Sequence, residues 1–304
     1  MTENSLTTPR GLMNLVNDFV AHSDQNALEN KDNDPAFENP IVGFARGDDS
    51  IFMDYKEHVG EFHLTPAEIF NLTFPDLNAS ADELTVISWI LPHIEATRRD
   101  NRGQKEFPAE RWARGRIFGE KSNEALRRHV VEALENAGIP SVAPLLTPHF
   151  ERKKSDRFTL SSTWSERHMA YAAGLGTFGL CDGLITPHGK AMRTGSVVAR
   201  LAVPPTPRPY TNHHRYCLFF SKGKCGKCIT RCPADALSES GHDKIKCNGH
   251  IRPGVVEYTK KHYGFDGLGC GLCQTLVPCE SRIPDREAAR EWREARAAYE
   301  TANA

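Results

Sequence analysis

Eight of the nine cysteines in this chain fall between Cys217 and Cys279, and their spacing constrains the fold more than any other feature. The order is Cys217, then Cys225-x2-Cys228-x3-Cys232-Pro233, then Cys247, then Cys270-x2-Cys273 and Cys279. Thiolates are soft, charged ligands, and a cuboidal iron–sulfur cluster needs four of them. Bacterial ferredoxins space theirs C-x2-C-x2-C-x3-C-P, the last cysteine crossing to a second cluster. Cys225 to Pro233 reproduces the second half of that run. The first ligand is displaced upstream to Cys217, which implies a small loop at 219–224. Pro233 stops the turn after the crossing ligand and donates no competing N–H.

Two [4Fe-4S] clusters use all eight thiols: Cys217, Cys225, Cys228 and Cys279 around one, Cys232, Cys247, Cys270 and Cys273 around the other. A zinc ribbon on the two C-x2-C pairs is the main alternative, but it strands four clustered cysteines. A disulfide framework suits a small secreted chain, which this is not.

At 304 residues the chain is long enough for two domains. A net charge of -1 with 25% charged and 39% hydrophobic residues reads as an ordinary globular protein. No overall basic excess argues for nucleic acid as a partner. The N-terminus lacks the cationic start and continuous apolar core of a signal peptide, and no run approaches the roughly 18 apolar residues of a membrane span. With thiolate ligands as well, a cytoplasmic protein without membrane contact is expected.

Periodicity places a short amphipathic helix at 11–22 and a polar linker at 26–40. Strands are expected at 41–45, 83–94 and 195–203. Ser122 caps a helix over 122–137 that ends at Gly138, and another helix covers 164–173. The proline-rich 204–209 reads as a stiff connector and domain boundary. A polar amphipathic helix over 285–301 shows Ala288, Trp292, Ala295 and Tyr299 on one face. The expected division is 1–40 as N-terminal helix and linker, 41–205 as an α/β domain, and 206–304 as the cluster module with a C-terminal helix.

Two features before the cysteines carry chemistry. Arg98, Arg99, Arg102, Arg111, Arg114 and Arg116 are either a solvated charged surface or contacts to a phosphate-bearing group. Gly174-Leu-Gly-Thr-Phe-Gly179 is formally G-x-G-x-x-G, but a dinucleotide site needs a strand before it and a helix after it. Here a helix precedes and a strand follows, so the glycines suit close backbone approach to something bulky instead.

Glu166-Arg-His-Met-Ala-Tyr-Ala-Ala followed by that glycine run, then Gly195-Ser-Val-Val and the two cysteine runs, resembles epoxyqueuosine reductases and the C-terminal half of reductive dehalogenases. The resemblance covers about 160–280. It implies an α/β (α+β) fold, in which a nitroreductase-like corrinoid-binding domain precedes a two-cluster bacterial ferredoxin-like module. It also implies that the clusters pass electrons singly to cobalt. Gly174, Gly176, Gly179, Cys181 and Asp182 would then face cobalamin. Where epoxyqueuosine reductases carry an acidic residue before the helix, this chain has Leu160, with Asp156 the nearest carboxylate. His168 and Tyr171, three residues apart on the next helix, are the substitute proton donors.

The expectation is therefore an oxidoreductase, a corrinoid-dependent reductase of a small electrophile such as an organohalide or epoxide. Its electrons would come from a ferredoxin or flavodoxin. The competing readings are an iron–sulfur electron-transfer protein without corrinoid and a corrinoid-handling binding protein.

Overall fold

A computed structural model of the chain describes residues 6–303. Helix α1 (Pro9–His22) opens it, with Pro9 in the first turn and the Thr8 hydroxyl accepting from Gly11 N at 3.1 Å. Strand β1 (Ile41–Arg46), helices α2 (Ile51–Val59) and α3 (Pro66–Thr73), and strand β2 (Leu84–Pro92) follow. Helices α4 (Glu95–Arg102) and α5 (Glu110–Asn136) lead to the short strands β3 (Ser141–Val142), β4 (Arg152–Lys153) and β5 (Ser161–Ser162). Then come helix α6 (Glu166–Ala172), the hairpin β6 (Thr177–Phe178) and β7 (Leu184–Ile185), and strand β8 (Met192–Arg200).

The main sheet has the order β1-β2-β8-β3, with every neighbouring pair antiparallel. Val86 pairs with Ala45 on one side and with Val198 on the other, which fixes the register. All of β2 is buried, because both of its faces are covered. Alternate side chains divide between two cores, as the period of two requires. Ile87, Trp89 and Leu91 join α1 and α5 through Leu12, Leu15, Val16, Leu126 and Val130. Val86 and Ile90 face Phe52, Ile69, Phe70 and Met169 on α2, α3 and α6.

Helix α5 begins at Glu110, twelve residues before the expected start, and Ser122 lies inside it with its hydroxyl donating to Phe118 O at 3.1 Å. The arginine- and glycine-rich first half hid the helix. A Cβ at Gly115 or Gly119 would press on His93 or Phe37, at 2.8 Å and 2.9 Å. Those glycines let α5 lie close to the chain beneath it. The expected linker at 26–40 is also built in. Asn26 is buried and donates to Val20 O and Phe37 O, and Leu28 is wholly buried.

The cysteine-bearing stretch is made of short pieces. These are helices α7 (Leu218–Lys222) and α8 (Lys227–Thr230), the hairpin β9 (Leu237–Ser238) and β10 (Gly241–His242), and helices α9 (Lys244–Gly249) and α10 (Val256–Tyr263). The expected loop at 219–224 is mostly α7, closed by Gly223 in the left-handed region. The connector at 204–209 is extended, yet Thr206 ties it to β1 by exchanging hydrogen bonds with the Phe44 backbone. Helix α11 (Arg286–Ala302) returns to the body: the Trp292 indole donates to Gly174 O at 3.0 Å, and Tyr299 is buried against the α1 side. Among the described residues no helix is long and apolar enough to cross a membrane.

Candidate metal centre and the recess beside it

Cys217 stands at the head of α7, Cys228 lies within α8, and Cys225 is in the loop between them. Cys279 arrives from the far end of the module, and together the four line one narrow recess with Gly226 and Lys190. Their distance in sequence and convergence in space match the crossing pattern of two-cluster ferredoxins. The other four gather separately. Burial pushes the Cys270 thiol up to about 11, and nearby Cys247 and Cys232 add to the effect. Cys270 in turn lies close enough to Cys273 to raise its pKa, behind the larger effects of Cys181 and burial. Among the described residues no three His, Cys, Asp or Glu side chains are grouped to hold a single metal ion.

Between the two sets lies Cys181, the ninth cysteine. It is buried, and the Lys190 ammonium donates to its sulfur at 3.2 Å. The Lys190 backbone N–H donates to Cys279 O at 2.9 Å, so β8 is docked directly onto the module. Burial opposes the charge on Lys190, but Cys181, Cys279, Cys273 and Cys228 outweigh it and raise its pKa. A single buried cation thus sits among thiols of both sets. Asp182, next in the chain, adopts a positive φ of 56° and points to the module, 3.2 Å from His242 and 3.6 Å from Lys244.

The glycine run lies between α6 and the β6–β7 hairpin, the context that argued against a dinucleotide site. The space beside each glycine is filled by the chain itself. A Cβ at Gly174 would collide with Pro207 O, one at Gly176 would lie 2.5 Å from Ile185 O, and one at Gly179 3.2 Å from the Ile185 side chain.

His168 and Tyr171 share one face of α6, both rings meeting Phe178, at 5.1 Å and 5.8 Å between centroids. His168 Nδ1 pairs with Ser165 Oγ at 2.7 Å, and its ring lies 4.7 Å from Tyr55 and 5.9 Å from His63. Burial, then His63, push its pKa well below the ordinary value, so its imidazole is neutral at pH 7. Burial raises the Tyr171 phenol, which therefore keeps its proton. Leu160 is 48% exposed and Asp156 also lies at the surface, away from this packed face.

Three features escaped the sequence reading. Glu166 is a carboxyl driven up to about 7 by burial, against the pull of Arg127 and the Ser196 hydroxyl. Lys190 looked like one more surface lysine. The third is a sorting of the arginine run. Arg98, Arg102, Arg111 and Arg114 are spoken for by Glu38, Glu280, Asp34 and Glu110, and Arg99 lies beside Asp100 at 3.7 Å. Arg116 alone of the six makes no hydrogen bond or ion pair among the described residues. A buried carboxyl or a free guanidinium is visible only once the fold has assigned neighbours.

No model of a known protein family matches the chain, and no curated protein matches it. Solved structures do. A variant of the catabolic reductive dehalogenase NpRdhA superposes with a TM-score of 0.51 over 96% of this chain and 39% of that one, at 13% identity. Epoxyqueuosine reductase from Bacillus subtilis matches over 94% of this chain and 76% of that one, at 15% identity and a TM-score of 0.43. A selenomethionine-labelled epoxyqueuosine reductase covers 84% of this chain and 67% of that chain, at 17% identity and a TM-score of 0.45. The chain is thus similar in fold to the reductive dehalogenase, and spans 39% of that protein's length.

Proposed function

We propose that this chain is an iron–sulfur reductase whose eight clustered cysteines hold two [4Fe-4S] clusters. The observation that carries this reading is the recess walled by Cys217, Cys225, Cys228 and Cys279, with the other four cysteines collected apart from it. Lys190 and Cys181 bridge the two sets and would shape the electrostatics of electron passage between them. Exposed Lys224, Lys227 and Lys246 surround the cysteines, which suits a docking donor with an acidic surface such as a ferredoxin or flavodoxin. A cytoplasmic setting goes with such chemistry.

The finer part of the proposal is a corrinoid and a small electrophilic substrate, an organohalide or epoxide. Support comes from the resemblance of residues 166–179 and from incompletely paired cations beside the second cysteine set. There Arg193 Nε is buried without a partner and Arg116 is unpaired, which fits a bulky group bearing anionic and amide acceptors. When bound, a corrinoid supplies the low-potential carbon- or halide-attacking chemistry. This chain's part is to hold it with Arg167 and Asp182, to set the wall with Cys181 and the Gly174–Gly179 turn, and to deliver a proton. Tyr171 Oη retains its proton near neutrality, and His168 serves by fixing the face the two share. The competing reading, electron transfer without a corrinoid, draws on one observation: the glycines already abut the chain's own backbone.

The test is anaerobic reconstitution followed by iron and sulfide assays and visible spectra with and without cobalamin. About eight iron and eight sulfide per chain are expected, following the two-cluster stoichiometry. Zinc alone, without acid-labile sulfide, would sink the proposal. Cluster-replete protein that leaves the cobalamin spectrum untouched selects the corrinoid-free reading. Turnover trials should include a tRNA stem loop, since epoxyqueuosine reductase has been solved with one.

A further inference from the structure

Arg116 is the one cation of its run that the fold leaves without a partner, and its surroundings are cationic. It stands one turn before Glu120 on α5, with its stem 3.8 Å from a Cβ built on Gly269, the residue before Cys270. Glu120 is already engaged: its carboxylate bridges Arg193 and Arg127, the latter at 3.0 Å. Arg127 also takes Glu166, at 3.1 Å. Arg193, at the start of β8, thus shares half a carboxylate, and its Nε remains buried without an acceptor. Arg167 on α6 reaches only a carbonyl, Asp182 O, at 3.2 Å.

The group holds the guanidiniums of Arg116, Arg127, Arg167 and Arg193, with Arg152 also acting on Arg116. Against them stand the carboxyls of Glu120 and Glu166 and, beside Arg167, that of Asp182, which already takes His242 and Lys244. Glu166 titrates only near 7. Repulsion from Arg193, then burial, lowers Arg116 to about 10, and burial, then Arg193, lowers Arg167. Arg167 is exposed and Arg116 half-buried, so an anion from solvent can reach both. Gathered guanidiniums without counter-charge are costly unless an anion completes them. Planar forks are moreover the geometry that grips a carboxylate or phosphate in pairs of bonds.

We propose that Arg116, Arg167 and Arg193 form an oxyanion site, so that the substrate bound there carries a carboxylate or phosphate group. Calling the anion a substrate rests on the reductase reading; the arginine site itself does not. A corrinoid's own phosphodiester offers the same chemistry, so the experiment separates the two sources.

Cluster-replete protein is titrated calorimetrically with inorganic phosphate, benzoate and neutral benzamide, and then with cyanocobalamin and dicyanocobinamide, which lacks the phosphodiester. Saturable binding of phosphate or benzoate but not benzamide is expected. Arg116→Met and Arg167→Met should each weaken it roughly tenfold or more, the worth of a charge-assisted hydrogen bond. Arg99→Met, at a side chain 67% exposed, should change nothing. Iron and sulfide should remain at wild-type content in all three variants. Absence of saturable binding of phosphate, benzoate and cyanocobalamin alike, or equal binding in Arg116→Met, overturns the site. Binding confined to cyanocobalamin over the cobinamide, and lost in Arg116→Met, overturns the substrate assignment and gives the oxyanion site to the cofactor. Anion binding by a chain that takes up no iron would keep the site while defeating the reductase reading.

Discussion

The sheet-bearing body and the cysteine module hold themselves together by different means. The body has a sheet buried on both faces, with two large apolar cores on either side of β2. Its long helix α5 runs for 27 residues. Between Cys217 and Cys279 no helix exceeds eight residues; the apolar cluster there is Val255, Cys270 and Leu272, while Cys217, Cys228, Leu237, Val277 and Cys279 are buried only by joining the body's core. A segment that short of regular structure and apolar burial does not offset the entropy of ordering its chain. The body carries its stability in side-chain packing, whereas the module, on the proposed reading, would draw its stability from cluster ligation. Where the cluster ligands are, the chain has little else.

The largest effect should therefore come from removing metal. Stripping the reconstituted protein with a chelator should collapse amide protection across 217–279 while β1, β2 and β8 stay protected, measured by hydrogen exchange. Uniform loss across both regions would erase the distinction, and so would protection of the module without iron. Cysteine replacement sharpens it further. Cys217→Ala and Cys279→Ala should each remove one cluster, about half the iron, and leave the same remaining spectrum. Cys232→Ala and Cys247→Ala should leave the other. A spectrum grouping Cys232 with Cys217 would reverse the connectivity.

A smaller effect is expected where the two regions touch. Gly271, inside Cys270-x2-Cys273, has φ of +62°, and a Cβ there would collide with the Trp112 indole on α5. Gly271→Val combines backbone strain with overpacking, each worth about 1–3 kcal/mol. The second cluster should be lost and the first retained, with Trp112→Ala restoring part of the iron. Full iron content in Gly271→Val would mean that the module's fold is indifferent to the body beside it.

The same contrast explains what could be read from sequence. Apolar alternation in Leu84-Thr-Val-Ile-Ser-Trp placed β2, and the helical period placed α1, α6 and α11, because packing imposes those periods. Ligand spacing marked the cysteines, because a cube fixes how far apart thiolates stand. Illegible were features set by close approach or by a neighbour's charge. Nothing in sequence reveals that His93 and Phe37 lie against Gly115 and Gly119. Arg116 could not be told from Arg111, since only the fold gives Arg111 its Asp34 and Asp100 partners. Glu166 is likewise an ordinary glutamate until α6 buries it beside Ser196.

The smallest effect concerns the body alone, which should carry its own pH dependence whether or not iron is present. His63 is wholly buried, both ring nitrogens lack partners, and its ring stacks 6.4 Å from Trp164. Burial, then Lys56, lower its pKa from 6.5 to about 4. As pH falls below 6.5 the unfolded chain takes up a proton that folded His63 refuses, so stability present above that pH drains away toward pH 4. That amounts to about 2 kcal/mol between pH 7 and pH 5. His63→Phe keeps an aromatic ring against Trp164 and removes two unsatisfied polar atoms, so the variant should match or exceed the wild type at pH 7. It should also lose about that much less on acidification, followed by urea unfolding of metal-free protein. His93, held near 3 by burial and then Arg193, supplies a parallel acid sensitivity, so the slope should flatten and not vanish. An unchanged slope would show that acid attacks the body through some other group, and that its packed core is not what sets its limit.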